Sequence, residues 1–246
     1  ARRLFFDVFA HSFFNPEKEM SAGELLMMFH FYFTGNPEGL VFDVARAPFS
    51  PSIWRPFEEY LRGLGVDLLL STSVEKIERD EGEWRVQTTA GDHQVDGVVL
   101  ALPVDPLKTL VAACPSLDDP DWRASVESLA LTNPFAVWRL WLDRPTQTGR
   151  APFIGTTGLG PLDNISLYHL FEDESRSWAE RHGGAVVELH AYAIDPDFDE
   201  GELRSALLAG LHELYPETRG AGVVEERFLV RQDCPAFAPG SYAQRP

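Results

Sequence analysis

Residues 64–103 constrain the fold more than any other part of this 246-residue chain. Residues 66–70 follow Gly65 and are apolar except for Asp67, the pattern of a strand covered on both faces. Val74 and Ile77 continue the extended reading, and Asp80-Glu81-Gly82 signals a turn. In residues 83–89, Trp84, Val86 and Thr88 alternate with Glu83, Arg85 and Gln87, which predicts a half-buried strand. Ala90-Gly91-Asp92 turns again, and residues 94–100 end in Val98-Val99-Leu100. Ahead of this run, residues 53–64 place Trp54, Phe57, Leu61 and Leu64 on one face of a helix. The order of helix, buried strand, three-stranded insert and buried strand defines an α/β piece over residues 53–113, closed by a short helix at 105–113.

The flanking parts differ in character. Phe5, Phe9 and Phe13 share i, i+4 spacing, so the start of the chain predicts a helix with an aromatic face, ended by Asn15-Pro16. Ser21 with Glu24 three residues on has the pattern of a capping box. The helix that follows, 24–34, is apolar nearly all round and reads as core or as the wall of an apolar cavity. Residues 40–42 suggest a short strand. Further strands are expected at 135–142, 153–156, 164–171, 185–194 and 223–231, with helices at 122–129 and 202–215 and a charged helix or loop at 172–182. The chain thus reads as α/β grading into α+β. Residues 1–52 and 114–240 supply helices and an antiparallel or mixed sheet, a second domain interleaved with the first.

The formal net charge of −17 excludes a nucleic-acid role, because phosphate contacts need Lys and Arg, and points to an acidic, solubilising surface. No run of about 18 uncharged apolar residues is long enough to span a bilayer. The start of the chain lacks the pattern of a secretory signal and reads as though already inside a helix, so a central fragment of a longer protein is expected. Cys114 and Cys234 are far apart and each precedes a proline, which fits neither a disulfide framework nor a metal site and makes a reducing cytoplasm the expected location.

Nucleophile elbows, zinc-protease helices, phosphate-binding loops and dinucleotide fingerprints do not occur. Gly158-Leu159-Gly160 continues into Pro161 and reads as a turn. His30 on the aromatic helix and His169 and His190 in predicted strands read as structural histidines. Glu172-Asp173-Glu174 and the acidic run at 195–202 lack calcium-loop spacing and read as solvated faces. No metal site and no catalytic side chain is assigned. What stands out is the density of Met27, Met28, Phe29, Phe31, Tyr32 and Phe33, which suits either plain core or a cavity for a long apolar ligand.

Residues 54–103 resemble the flavin-containing amine oxidase and carotenoid desaturase superfamily. The resemblance rests on Leu61, Gly65, Val74-Glu75-Lys76-Ile77, the meander around Trp84 and Val86, and the run V-D-G-V-V-L-A-L-P from Val95 to Pro103. Residues 13–44 and 232–240 resemble, more narrowly, the aromatic-ring-forming carotenoid desaturases of the isorenieratene-synthase type. The resemblance implies a partial, Rossmann-like FAD-binding domain at 53–113 with a β-meander insert. Substrate-domain helices would lie at 1–52, substrate-domain sheet and helices at 114–240, and the return to the FAD domain at 241–246. The family's glycine-rich nucleotide unit and its flavin-closing segment are absent. FAD is the implied cofactor, with Val74, Ala101, Leu102 and Pro103 beside it. The implied substrate is an apolar carotenoid, whose ring is desaturated and loses hydride to the flavin while a methyl group shifts. Phe29, Tyr32, Phe33, Trp138 and Trp141 are the candidate substrate wall, and peripheral membrane contact through an apolar mouth is expected. Amine oxidation on the same fold, and a non-catalytic lipid-binding or interaction module, are the alternative readings.

Overall fold

The computed structural model describes residues 6, 8–39, 41–80 and 82–246. Phe5 of the predicted aromatic face, Leu40 of the predicted short strand and Glu81 of the first meander turn lie outside the described residues. The elements in chain order are α1 (Val8–His11), α2 (Ala22–Phe29), α3 (Arg55–Gly63), β1 (Val74–Asp80), β2 (Glu83–Thr88), β3 (Gly91–Val95), α4 (Val104–Ala113) and α5 (Pro120–Ser128). They continue with β4 (Phe135–Leu142), β5 (Phe153–Gly155), β6 (Asn164–Leu167), α6 (Asp173–His182), β7 (Ala185–Ala191), α7 (Glu200–Leu214) and β8 (Val223–Arg231).

The strands form two antiparallel sheets, β1-β2-β3 and β5-β6-β7-β4-β8. The larger sheet grows from the pattern of β4. Ala136, Trp138, Leu140 and Leu142 are buried, and the residues between them are half-buried. The buried set packs under Leu203, Leu207 and Leu211 of α7, and this is the main core. Full burial of a leucine such as Leu207 contributes about 1.5–3 kcal/mol. Asp199 starts α7 by accepting the Glu202 backbone N–H. A smaller core joins Ile77 of β1 to Leu110 of α4 and Cys114, whose Sγ accepts the Ile77 backbone N–H at 3.1 Å.

The meander forms as its alternation and turns predict, with Gly82 and Gly91 at positive φ. The two buried strands expected around it do not form. Residues 66–69 and 97–103 lie outside any strand, and Leu70 and Val99 are 71% and 91% exposed. Such apolar runs become strands only when neighbouring strands accept their hydrogen bonds, and no described residue pairs with them. The helix over 53–64 forms as α3, preceded by a π-helical turn at Ser50–Trp54, but Trp54, Phe57 and Leu64 of its apolar face are exposed.

Two local expectations fail for identifiable reasons. Ser21 and Glu24 make no capping box. The Ser21 N–H goes to the Phe237 carbonyl, and the fully buried Glu24 carboxylate is bound by Arg245. His30 is exposed and bonds the Thr34 hydroxyl at 2.6 Å, because α2 runs into a π-helical turn (His30–Thr34) whose outer face, with Leu26 and Phe31, is open.

Candidate active-site cavity

The half-buried face of β4 carries Val137, Arg139 and Trp141. The register places Arg139 opposite Glu188 of β7, Glu188 opposite Ser166 of β6, and Ser166 opposite Phe153 of β5, so one row crosses four strands. The neighbouring row brings Val137, His190 and Asn164 together. A cavity of about 1260 Å³ lies over this face. Its other wall is the segment 42–53, including Phe42, Phe49 and Ile53. That segment is tied to α6 by Arg46, whose guanidinium bonds Asp173 at 3.0 Å and whose carbonyl accepts the Asp173 N–H. Trp141, Phe153, Tyr168 and Phe171 make much of the lining aromatic. The volume exceeds the usual range for a drug-sized ligand.

Asp43, Glu174 and Arg181 add charge to the lining, and a hydrogen-bonded group of charges centres on Arg139. Arg139 Nε donates to Glu188 Oε2 at 2.7 Å, and its guanidinium lies 3.8 Å over the Tyr168 ring. Arg139 Nη1 is 4.0 Å from Glu172 Oε2, which also accepts from the Ser175 hydroxyl. His190 Nε2 is 2.9 Å from Glu188 Oε1 and its Nδ1 is 2.7 Å from Tyr192 Oη. An ionised carboxylate only accepts, so His190 donates from Nε2 and Nδ1 accepts the Tyr192 O–H, while Tyr192 Oη accepts from Asn164 Nδ2. Burial would raise the Glu188 carboxyl, but the His190 hydrogen bond and the Arg139 charge outweigh it and hold Glu188 below the ordinary range. Burial and then the Glu188 charge push Tyr168 up to about 12, and burial does the same for Tyr192.

Of the residues singled out from sequence, Trp141 lines the cavity. Trp138 is on the opposite face, 4% exposed, donating to Glu226 and standing edge-on to Phe228. Phe29, Tyr32 and Phe33 pack around Phe9, with ring centroids 6.1, 5.4 and 5.6 Å away. They adjoin the cavity through Phe42, 6.2 Å from Tyr32. Val74 opens β1, and Ala101, Leu102 and Pro103 lead into α4; all four are exposed. Sequence gives no role to Arg139, Glu188 and Tyr192 and reads His190 as structural and Glu172 as part of a solvated face, whereas Glu172 is buried at the head of α6. A signal existed in the charges set within the apolar strands F-A-V-W-R-L-W-L and A-V-V-E-L-H-A-Y, but their partnership depends on β4–β7 register.

His169 lies in a 3-10 turn (Tyr168–Leu170) rather than a strand, and its ring bonds the Val186 backbone. Among the described residues, no group of three His, Cys, Asp or Glu side chains is placed to hold a metal ion.

Comparison with known proteins gives a consistent picture. The model of the flavin-containing amine oxidoreductases matches residues 2–245. A carotenoid phi-ring synthase of Streptomyces griseus is 45% identical over 247 residues, covering 100% of this chain and 48% of that protein. A carotenoid phi-ring synthase of Chlorobaculum tepidum is 36% identical over 163 residues, 65% of this chain and 25% of its own length. The chain therefore spans half or less of these relatives. Among solved structures, a putrescine oxidase variant aligns with TM-score 0.70 at 14% identity over 95% of this chain and 54% of its own. The cyclohexylamine oxidase of Brevibacterium oxydans aligns with TM-score 0.67 at 15% identity over 99% and 54%. At these identities the last two establish the fold.

Proposed function

The chain belongs to the flavin-containing amine oxidoreductase family, and from that premise we propose that it is part of an enzyme that desaturates the β-ring of a carotenoid and shifts a methyl group on it. The observation that carries this reading is the large, aromatic-rich cavity between segment 42–53 and the sheet face that carries Arg139 and Trp141. An extended hydrocarbon needs such a space, and the names of the two phi-ring synthases favour a carotenoid ring. FAD is the cofactor, and when bound it supplies a hydride-accepting ring system.

In this reading Val74, Ala101, Leu102 and Pro103 lie beside FAD, which is supported by their exposure and by residues 97–103 having no strand partner among the described residues. In this reading residues 53–113 are the middle of the FAD domain. Residues 1–52 and 114–240 are the substrate domain, and 241–246 begin the return. The protein's own contribution is to hold the ring and exclude water from it. Exposed Leu26, Met27 and Phe31 on the aromatic helix offer apolar contact with the bilayer that holds the carotenoid. No helix among the described residues is long and apolar enough to cross a membrane.

Amine oxidation is the second reading, favoured by the surplus of carboxylates around Arg139, which would hold an ammonium group. Anaerobic mixing of the full-length FAD-loaded protein with β-carotene, or with putrescine and cyclohexylamine, separates the two. Bleaching of the oxidised-flavin absorbance and a methyl-shifted ring diene are expected with β-carotene alone. Bleaching by an amine with β-carotene unchanged selects amine oxidation.

A further inference from the structure

Glu172 occupies the N-cap position of α6, yet its side chain makes no capping bond. A carboxylate there ordinarily serves the free N–H groups of the first turn. Here it turns into the cavity and lies almost wholly buried, bonded to Ser175 Oγ and 4.0 Å from Arg139. Arg139 is meanwhile held by Glu188 at 2.7 Å and stacked on Tyr168. One guanidinium thus stands between two carboxylates, and with Asp43 and Glu174 set against Arg181 elsewhere in the lining the cavity keeps net negative charge. Burying unbalanced charge costs several kcal/mol. A neutral hydrocarbon gives nothing back, so the arrangement suits a ligand that becomes positive during reaction.

We infer that Glu172 is a catalytic residue of the ring desaturation, a role that rests on the carotenoid reading above. FAD, when bound, would take a hydride from a saturated ring carbon, which would leave a ring cation. The methyl group migrates with its bonding pair to that carbon, and the positive charge moves to the carbon it left. Breaking a neighbouring C–H bond then forms the double bond, and its proton passes to Glu172. The carboxylate surplus stabilises the cation in between. One such round removes two hydrogens, one with its electron pair and one as the proton, and gives a ring diene; a second round on reoxidised FAD removes two more and completes the aromatic ring.

The test is single-turnover flavin reduction by β-carotene in the full-length holoenzyme. E172Q is expected to slow bleaching about 100-fold, with FAD content and half-saturating β-carotene concentration unchanged. E172D is expected to restore it to about a tenth of the parent rate. A parent protein that β-carotene does not reduce overturns the carotenoid reading and the assignment with it. A parent that is reduced, with E172Q as fast, overturns the assignment alone. Should E172Q fail to fold, E172D carries the test, and an undiminished E172D rate is then the overturning result.

Discussion

Glu188 is the residue on which the polar floor depends, since it receives both Arg139 and His190. Replacing it with glutamine leaves the mostly buried guanidinium of Arg139 without its closest counter-charge, and E188Q is expected to lose about 3 kcal/mol. The effect has a pH signature. The folded carboxyl titrates below its ordinary 4.5, so its stabilisation is complete above 4.5 and is lost as pH falls through the lower folded value. The gap in melting temperature between parent and E188Q should therefore be full at about pH 7 and narrow towards about pH 3. A gap unchanged with pH contradicts the ion pair. Sequence made one member of this site legible. Trp138 and Trp141 both sit in an apolar strand, but alternation says only that they face opposite ways if three apart. Which face is core and which is cavity is decided by where α7 packs. His190 read as structural for the same reason: its partners Glu188 and Tyr192 are near in sequence, but Asn164 and Arg139 reach the group only across β6 and β4.

Among the elements, those of the larger sheet were the most legible. β4 and β8 form over the residues their patterns predict, because β7 and α7 supply partners within the chain. The Gly183-Gly184 pair ahead of β7 has two separate duties. Gly183 closes α6 in the left-handed conformation, at φ 64°. Gly184 lies so close to the Leu142 carbonyl that a Cβ there would collide with that oxygen, and would come within 3.0 Å of Trp178. Backbone cannot yield as a flexible side chain can, so G184A is expected to force β7 away from the end of β4 at a cost of about 2–3 kcal/mol. A lowered midpoint in urea denaturation with an unchanged slope checks this. An unaltered midpoint means the β4–β7 end is looser than described.

Across the whole molecule, order is unevenly supported. The α7-backed sheet buries its own apolar face, whereas α3, residues 66–70 and, within 97–103, Val99 and Leu102 expose theirs, with Val98 and Leu100 half-buried against the smaller core. The sequence of that second region reads as apolar α/β material with formed strands, but strand formation depends on hydrogen-bond partners that no described residue supplies. Hydrogen exchange on the 246-residue chain should display the contrast directly. Amides of β4, which is paired on both sides by β7 and β8, should exchange only through global opening. Amides of residues 97–102 have no strand partner and should exchange at close to the rate of an unstructured peptide. In the full-length protein loaded with FAD, the same amides should become protected, and removal of FAD should release part of that protection. Slow exchange at 97–102 in the chain alone would mean that these residues find partners without the rest of the cofactor domain. Unchanged protection on removing FAD would separate them from the flavin altogether and leave Val74, rather than Ala101 to Pro103, as the position to test for cofactor contact.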